Sequence, residues 1–321
     1  MQQSLKIARE IKDQRLEVRS LGNLGLPYSN LGKYDKAIEF QLQSLAISRE
    51  IRDRIGERQS LGSLGNAYHS LGKYDKAIEF QLQSLVISRE IKDRLGEGNA
   101  LGNLGNAYHS LGKYDKAIEF QLQSLAISRE IKDRLGEGQS LGNLGLAYSN
   151  LGKYDKAIEF QLQHLAITRE IKHRLGEGQS LGNLGLAYSN LGKYDKAIEI
   201  QLQRLAIARE IKHRLGEGNA LGNLGNAYHS LGKYDKAIEF HLQHLAITRE
   251  IKHRLGEGQS LNNLAVAYGK LNRDREAMIY YQQALSIARE IGDRSIEGYA
   301  LADLGNVLDL LGNKSTAQSR F

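Results

Sequence analysis

Apolar residues recur along this chain at helical spacing, in two phases separated by a glycine. Leu101, Leu104, Tyr108 and Leu111 fall three and four residues apart, the period of one helical face. Gly112 follows where a left-handed residue closes a helix. A second amphipathic run begins near Tyr114 and carries Ala117, Ile118, Leu122, Leu125, Ile127 and Ile131 to about Lys132. Asp115 and Glu119 lie early in this run and Arg129 and Lys132 late, matching the helix dipole. Asp133 and Arg134 make the turn into the next unit. The pattern predicts a hairpin of two helices, each of roughly 17 to 19 residues and about 27 Å long at 1.5 Å per residue.

The hairpin then repeats. Leu21, Leu61, Leu101, Leu141, Leu181, Leu221, Leu261 and Leu301 hold the same place at a period of 40 residues. Self-similarity at such a period marks a stacked array, in which each unit buries its apolar face only against its neighbours. A length of 321 residues would ordinarily suggest two domains, but no linker or composition shift interrupts the repeat. The expectation is therefore one all-α array over 1–321, with a partial second helix at each end, about 1–13 and 314–321. Incomplete ends expose apolar surface on which a second copy can stack end to end.

Three features complicate the helices. Gly102 and Gly105 cost about 1 kcal/mol each relative to Ala, which close helix–helix approach would offset. Pro27, the sole proline, removes the bond to the carbonyl of Asn23 at a cost of about 3 kcal/mol and predicts a kink. The net charge of +7 hints at nucleic acid until it is divided among units. Residues 101–140 carry five cations and five anions, and excess charge arises partly where Asp133 gives way to His173, His213 and His253. That is drift at a turn and not a basic stripe, so no nucleic-acid partner is expected.

Candidate chemistry is sparse. Without cysteine there is no disulfide framework and no thiolate metal site. LGKYD lacks the Ser/Thr of a P-loop, and Gly136–Leu141 lacks the third glycine of a dinucleotide fingerprint, so no cofactor is expected. His241 and His244 share a helix face but lack third and fourth metal ligands. His69-Ser70, His109-Ser110 and His229-Ser230 resemble base and nucleophile, yet consecutive helical residues point apart and no carboxylate accompanies them. The reading is of a protein with no catalytic residue. No signal-peptide run and no segment long enough to span a bilayer occurs, which makes a soluble cytoplasmic protein without a membrane partner the default expectation.

Leu104-Gly105, Tyr108, Gly112, Tyr114 and Ala117 stand at the spacing of the tetratricopeptide repeat, whose usual period is about 34 residues. The longer period, the phrase NLGNAY and the DR..GEG junction resemble the long-helix repeats of the Pins/LGN adaptors and, less closely, of kinesin light chain. The near-identity of the units is similar to bacterial, especially cyanobacterial, signalling arrays. The resemblance implies a right-handed α-solenoid (superhelix) of about eight helical hairpins whose first helices line a concave groove holding an extended partner segment.

Carried over position by position, the implied groove residues are Asn23, Asn66, Asn99, Asn103, Asn106, His109, Asn143, Asn183, Asn219, Asn223, Asn226 and Asn263. A column of amides both donates to and accepts from a peptide backbone, although the same amides are able to bond their own helix or neighbouring units. Leu146 and Leu186 stand where neighbouring units carry Asn106 and Asn226, and would serve as apolar anchors. The adaptors place Arg where this chain has Gln59, Asn99, Gln139, Gln179, Asn219 and Gln259, and only Arg19 matches. The functional expectation is a scaffold or adaptor that binds a protein or peptide in its groove. The alternative is a spacer or self-assembling module, or the sensor part of a larger signalling protein.

Overall fold

The computed structural model describes residues 2–318, and every element in it is helical. The chain divides into two compact units, up to Ile167 and from Thr168 onward. The first unit holds α1 (Gln2–Glu10), α2 (Gln14–Asn30), α3 (Tyr34–Glu50), α4 (Arg54–Ser70) and α5 (Tyr74–Glu90). It continues through α6 (Arg94–Ser110), α7 (Tyr114–Glu130), α8 (Arg134–Asn150) and most of α9 (Tyr154–Glu170). The second unit holds α10 (Arg174–Asn190), α11 (Tyr194–Glu210), α12 (Arg214–Ser230) and α13 (Tyr234–Glu250). It ends with α14 (Arg254–Lys270), α15 (Asp274–Ile291) and α16 (Arg294–Gln318).

Consecutive helices from α2 to α15 pair into hairpins, so the protein is an all-α solenoid built from one repeated motif. Helices with even numbers are the first of each hairpin. Within each unit successive first helices touch, as α2 does α4 and α12 does α14, while the second helices α3 and α5, or α11 and α13, do not. The first helices therefore form the tighter, inner layer of each unit.

Packing follows from the apolar period. Leu101 and Leu104 are almost wholly buried, with Leu85 from α5 and Ile127 from α7 in the same cluster. The reading of the second helix needs one correction, because Leu122 is 42% exposed and does not belong to the core. Tyr108 stacks on Phe120 with ring centroids 5.3 Å apart, tying the end of α6 to the middle of α7. The glycines admit that approach. A Cβ at Gly105 would lie 2.6 Å from Gln121 Nε2, and one at Gly102 would lie 3.3 Å from Ser124 Oγ.

Two kinds of turn close the helices. First helices end on a left-handed glycine, such as Gly112 at φ 70°. Second helices up to α13 end on a left-handed Lys or Arg, as at Lys132 with φ 57°, which the sequence pattern did not signal. At the last hairpin the residue types exchange, Asn272 following α14 and Gly292 closing α15. The helix α2 is continuous through Pro27 from Gln14 to Asn30. Helix α16 likewise runs unbroken past Gly312, where the repeat pattern implied a turn before a partial helix at 314–321; residues 319–321 of that expected helix lie outside the described residues.

Ion pairs brace the junctions between hairpins. The Glu97 carboxylate, 7% exposed, accepts from Arg89 Nε at 2.8 Å and also from Arg94. Arg94 Nε in turn reaches Glu130 at 3.0 Å. The same set recurs in the second unit as Arg209, Glu217, Arg214 and Glu250. Asp53, Asp93 and Asp133 each cap a first helix, their carboxylates accepting from Gly56, Gly96 and Gly136 N–H at 2.9 to 3.0 Å. His173, His213 and His253 occupy the same place in the second unit without a side-chain cap bond. His213→Asp is accordingly expected to stabilise the protein by about 1 kcal/mol, the usual worth of a cap. An unchanged or lower urea midpoint would show that the missing cap costs nothing here.

Candidate functional site

Along the first helices of the first unit runs an open groove with a section of about 850 Å³. Asn23, Asn66, Asn99 and Asn103 line it from α2, α4 and α6, with Gln41, Gln81, Ser44 and Ser84 from α3 and α5 beneath. A further section takes in Asn106 and Asn143. Two smaller hollows of about 190 and 220 Å³ hold His109 with Leu146, and Asn66 with Asn103. In the second unit Asn183, Leu186, Asn219, Asn223, Asn226 and Asn263 lie on α10, α12 and α14, and none is buried. Leu146 is 38% and Leu186 45% exposed.

Hydrogen bonds split the amide column into two sets. Gln121 Nε2 donates to the carbonyl of Gly102 at 3.0 Å and to Asn106 Oδ1 at 2.9 Å. Asn143 Nδ2 donates to the same Asn106 oxygen at 2.9 Å. Gln81 grips Asn66 in the same way, and Asn263 donates to Asn226. These five asparagines hold neighbouring helices together. Asn23, Asn99, Asn103, Asn183, Asn219 and Asn223 make no side-chain hydrogen bond with any of the described residues; the first three line the groove with their amides unspent, and the others stand unburied at the equivalent places of the second unit. Sequence reasoning missed the glutamines that form the floor. The signal was present, since a polar residue recurs at Gln41, Gln81, Gln121, Gln161 and Gln201 on an otherwise apolar face, opposite Gly25, Gly65, Gly105, Gly145 and Gly185.

The histidines also act between hairpins. His69 Nε2 lies 3.1 Å from Ser110 Oγ, the serine one period on and not its neighbour Ser70. Asn150 Nδ2 donates to His109 Nε2 at 2.8 Å, and burial holds the His109 imidazole below its ordinary pKa. His244 Nδ1 meets Ser260 Oγ at 2.8 Å. No carboxylate bonds to any of these pairs among the described residues, and no cluster of three His, Asp or Glu side chains suited to a metal occurs among them. No helix among the described residues is long and apolar enough to cross a membrane.

Charge in the first unit's groove comes from Arg15, Arg19 and Arg58 and from the caps Asp13 and Asp53. Arg58 Nε sits 3.0 Å from Asp93 Oδ2.

Tetratricopeptide repeat family patterns match residues 18–51, 56–130, 136–210 and 216–290, more than half of the chain. No curated protein matches the sequence. Among solved structures the chain is similar to a signal transduction ATPase with numerous domains (STAND) from Pyrococcus horikoshii that carries a tetratricopeptide repeat sensor. Identity is 18% and the TM-score 0.76, over 89% of this chain and 46% of that one, so this chain spans less than half of the ATPase. It is also similar to the nearly identical TPR-like repeats of a Podosopora anserina kinesin light chain candidate, at 25% identity and TM-score 0.53, over 61% of this chain and 97% of that one. A third similarity is to a Rap protein complexed with competence and sporulation factor, at 14% identity and TM-score 0.56, over 92% of this chain and 99% of that one. Paired helices at this period, a glycine seam between them and family matches along most of the chain make this protein a member of the tetratricopeptide repeat family, a scaffold for protein and peptide interaction.

Proposed function

We propose that the inner face of the first helices holds an extended segment of a partner by its backbone, through those amides that the array does not use internally. The observation that carries this reading is the contrast between Asn99 and Asn103, which line the 850 Å³ groove without an internal bond, and Asn106, whose oxygen already accepts twice. An asparagine amide offers one acceptor and two donors, the complement of a peptide unit in extended form. Leu146 in the first unit and Leu186 in the second each add an apolar contact to the amides beside them. Likeness to a STAND repeat sensor supports a sensing role within a larger signalling protein, and the Rap complex supports a ligand seated on a fold of this kind. Neutral Gln59, Asn99, Gln139 and Gln179 stand in for the arginines of the Pins/LGN adaptors, so the proposal carries no spindle role.

Peptides enriched from a random library on the immobilised protein provide the test. Asn99→Ala with Asn103→Ala is expected to weaken them about tenfold, the worth of one to two lost hydrogen bonds, at unchanged or higher helicity. Asn106→Ala with Asn143→Ala is expected to lower stability instead. Unchanged affinity in the first variant, with the fold intact, would remove the free amides from the binding surface.

A further inference from the structure

The inner face of the second unit differs in charge from that of the first. In the first unit Asp13, Asp53 and Asp133 lie along the groove as well as capping helices. In the second unit His173, His213 and His253 take the cap positions of α10, α12 and α14, so the carboxylate is missing at these three first helices and returns only at Asp293, which caps α16. The groove arginines of the first unit, Arg15, Arg19 and Arg58, have no basic counterpart there either, since Leu215, Asn219 and Gly218 stand at their places, but one cation appears at a position that is uncharged in the first unit. Arg204 stands on α11 where the first unit has Ser44, Ser84, Ser124 and His164.

By repeat equivalence its place corresponds to the floor of the first unit's groove. Ser124, its counterpart, lines the groove, donates to the carbonyl of Gly98 at 3.0 Å and lies 3.1 Å from Ser140 Oγ. Arg204 makes neither kind of bond. Its guanidinium lies against Gly182 of α10, where an added Cβ would come within 2.9 Å of Cζ, so only glycine leaves room for it. The position equivalent to Ser140 is Ala220, which brings no hydroxyl. Half-buried, Arg204 has no hydrogen bond or ion pair with any of the described residues. Burial with no opposing charge pulls its pKa below the ordinary arginine range. The buried acid of the repeat, Glu217, is already shared by Arg209 and Arg214. A guanidinium in that condition has lost water without gaining an acceptor, and its planar fork suits a carboxylate that brings two.

We propose that the inner face of the second unit receives an acidic peptide, with one carboxylate seated on Arg204 and the backbone held by Asn183 and Asn223 on either side. This rests on the groove reading above and adds the chemical class of the ligand. Neither Arg204 nor the change from Asp to His at the caps stands out from the net charge. Only the packing shows that both changes concern the same face.

The experiment is a random peptide selection on the parent and on Arg204→Ser, a variant that imports the residue of three other hairpins and so keeps the fold. Peptides from the parent are expected to be rich in Asp and Glu, to bind Arg204→Ser about tenfold more weakly, and to weaken with added salt. The variant is expected to select sequences without that acidic excess. Equal acidic content from both proteins, or equal affinity, overturns the inference and leaves the groove reading standing. Enrichment of nothing by either protein overturns the groove reading and the inference with it. A single-stranded oligonucleotide that binds through Arg204 where no peptide does would make the anion a phosphodiester, and the acidic-peptide assignment wrong.

Discussion

Lowering the pH from 7.5 to 5 is expected to destabilise the α12–α13 hairpin by about 4 kcal/mol through His241 and His244 alone. Both rings are nearly inaccessible, and burial is the main cause holding their pKa values down, at about 3 for His241 and about 4 for His244. Nearby imidazoles add to the effect, His244 and His229 at His241, and His253 at His244. His241 Nδ1 has no partner to accept a bond from it, so a proton there would be a buried, unmatched charge. In the folded state the rings stay neutral, while in the unfolded chain they take up protons below the ordinary histidine value of about 6.5. Stability is therefore complete above that pH and falls by about 1.4 kcal/mol per unit per histidine on acidification, until the folded-state values are reached.

His241→Gln with His244→Ser restores residues that other hairpins carry at these places, including the Ser–Ser contact seen between Ser124 and Ser140. That variant is expected to lose most of the acid sensitivity. Urea midpoints at the two pH values, with amide exchange in α13, provide the check. Identical pH dependence in parent and variant would show that the two rings are hydrated in the folded protein.

Gly105→Ala is expected to destabilise the protein by about 2 kcal/mol, against the helix propensity gain of about 1 kcal/mol that the same substitution brings at an open site. The new methyl would meet Gln121 at 2.6 Å from Nε2 and 2.7 Å from Cγ, so the side chain as a whole must move and not merely its tip. Moving it breaks the bonds to Gly102 and Asn106, and through Asn106 loosens Asn143 on the next hairpin. Gly22→Ala is the contrasting case, because nothing lies within 4 Å of a Cβ there, and it is expected to stabilise. Adding Gln121→Ala to Gly105→Ala should recover much of the loss, since it vacates the space and removes the unpartnered Gln121 Oε1. A stabilising Gly105→Ala, measured by chemical denaturation, would mean that the seam has slack and that glycine there serves no packing purpose.

These two cases mark how far local pattern reaches. Spacings of three and four residues determine that a segment is helical and which side is apolar, because they are set within one helix by its own geometry. The hairpins, the glycine closing the first helices up to α12, the buried Leu101 and Leu104 and the family were legible for that reason. So was the general position of the candidate groove on the first helices, once the period was recognised. Leu122 was misplaced because an apolar residue at helical spacing marks a stripe wider than the contact that the neighbouring helix supplies. The left-handed Lys132 was not signalled because no residue type there announces a positive φ.

What the tertiary structure alone decided is which polar groups meet. Asn143 and Asn106 are 37 residues apart, and His69 and Ser110 are 41. Those separations differ from the period of 40 by the small offset between stacked hairpins, which one hairpin's sequence does not contain. The same offset sorts the amides into those consumed in the array and those left facing the groove, and it leaves Arg204 against Gly182 with no acceptor. Helices are determined by neighbours four residues away, so the sequence by itself determined them. The chemistry of this surface is determined by neighbours one hairpin away, brought together only when the hairpins stack.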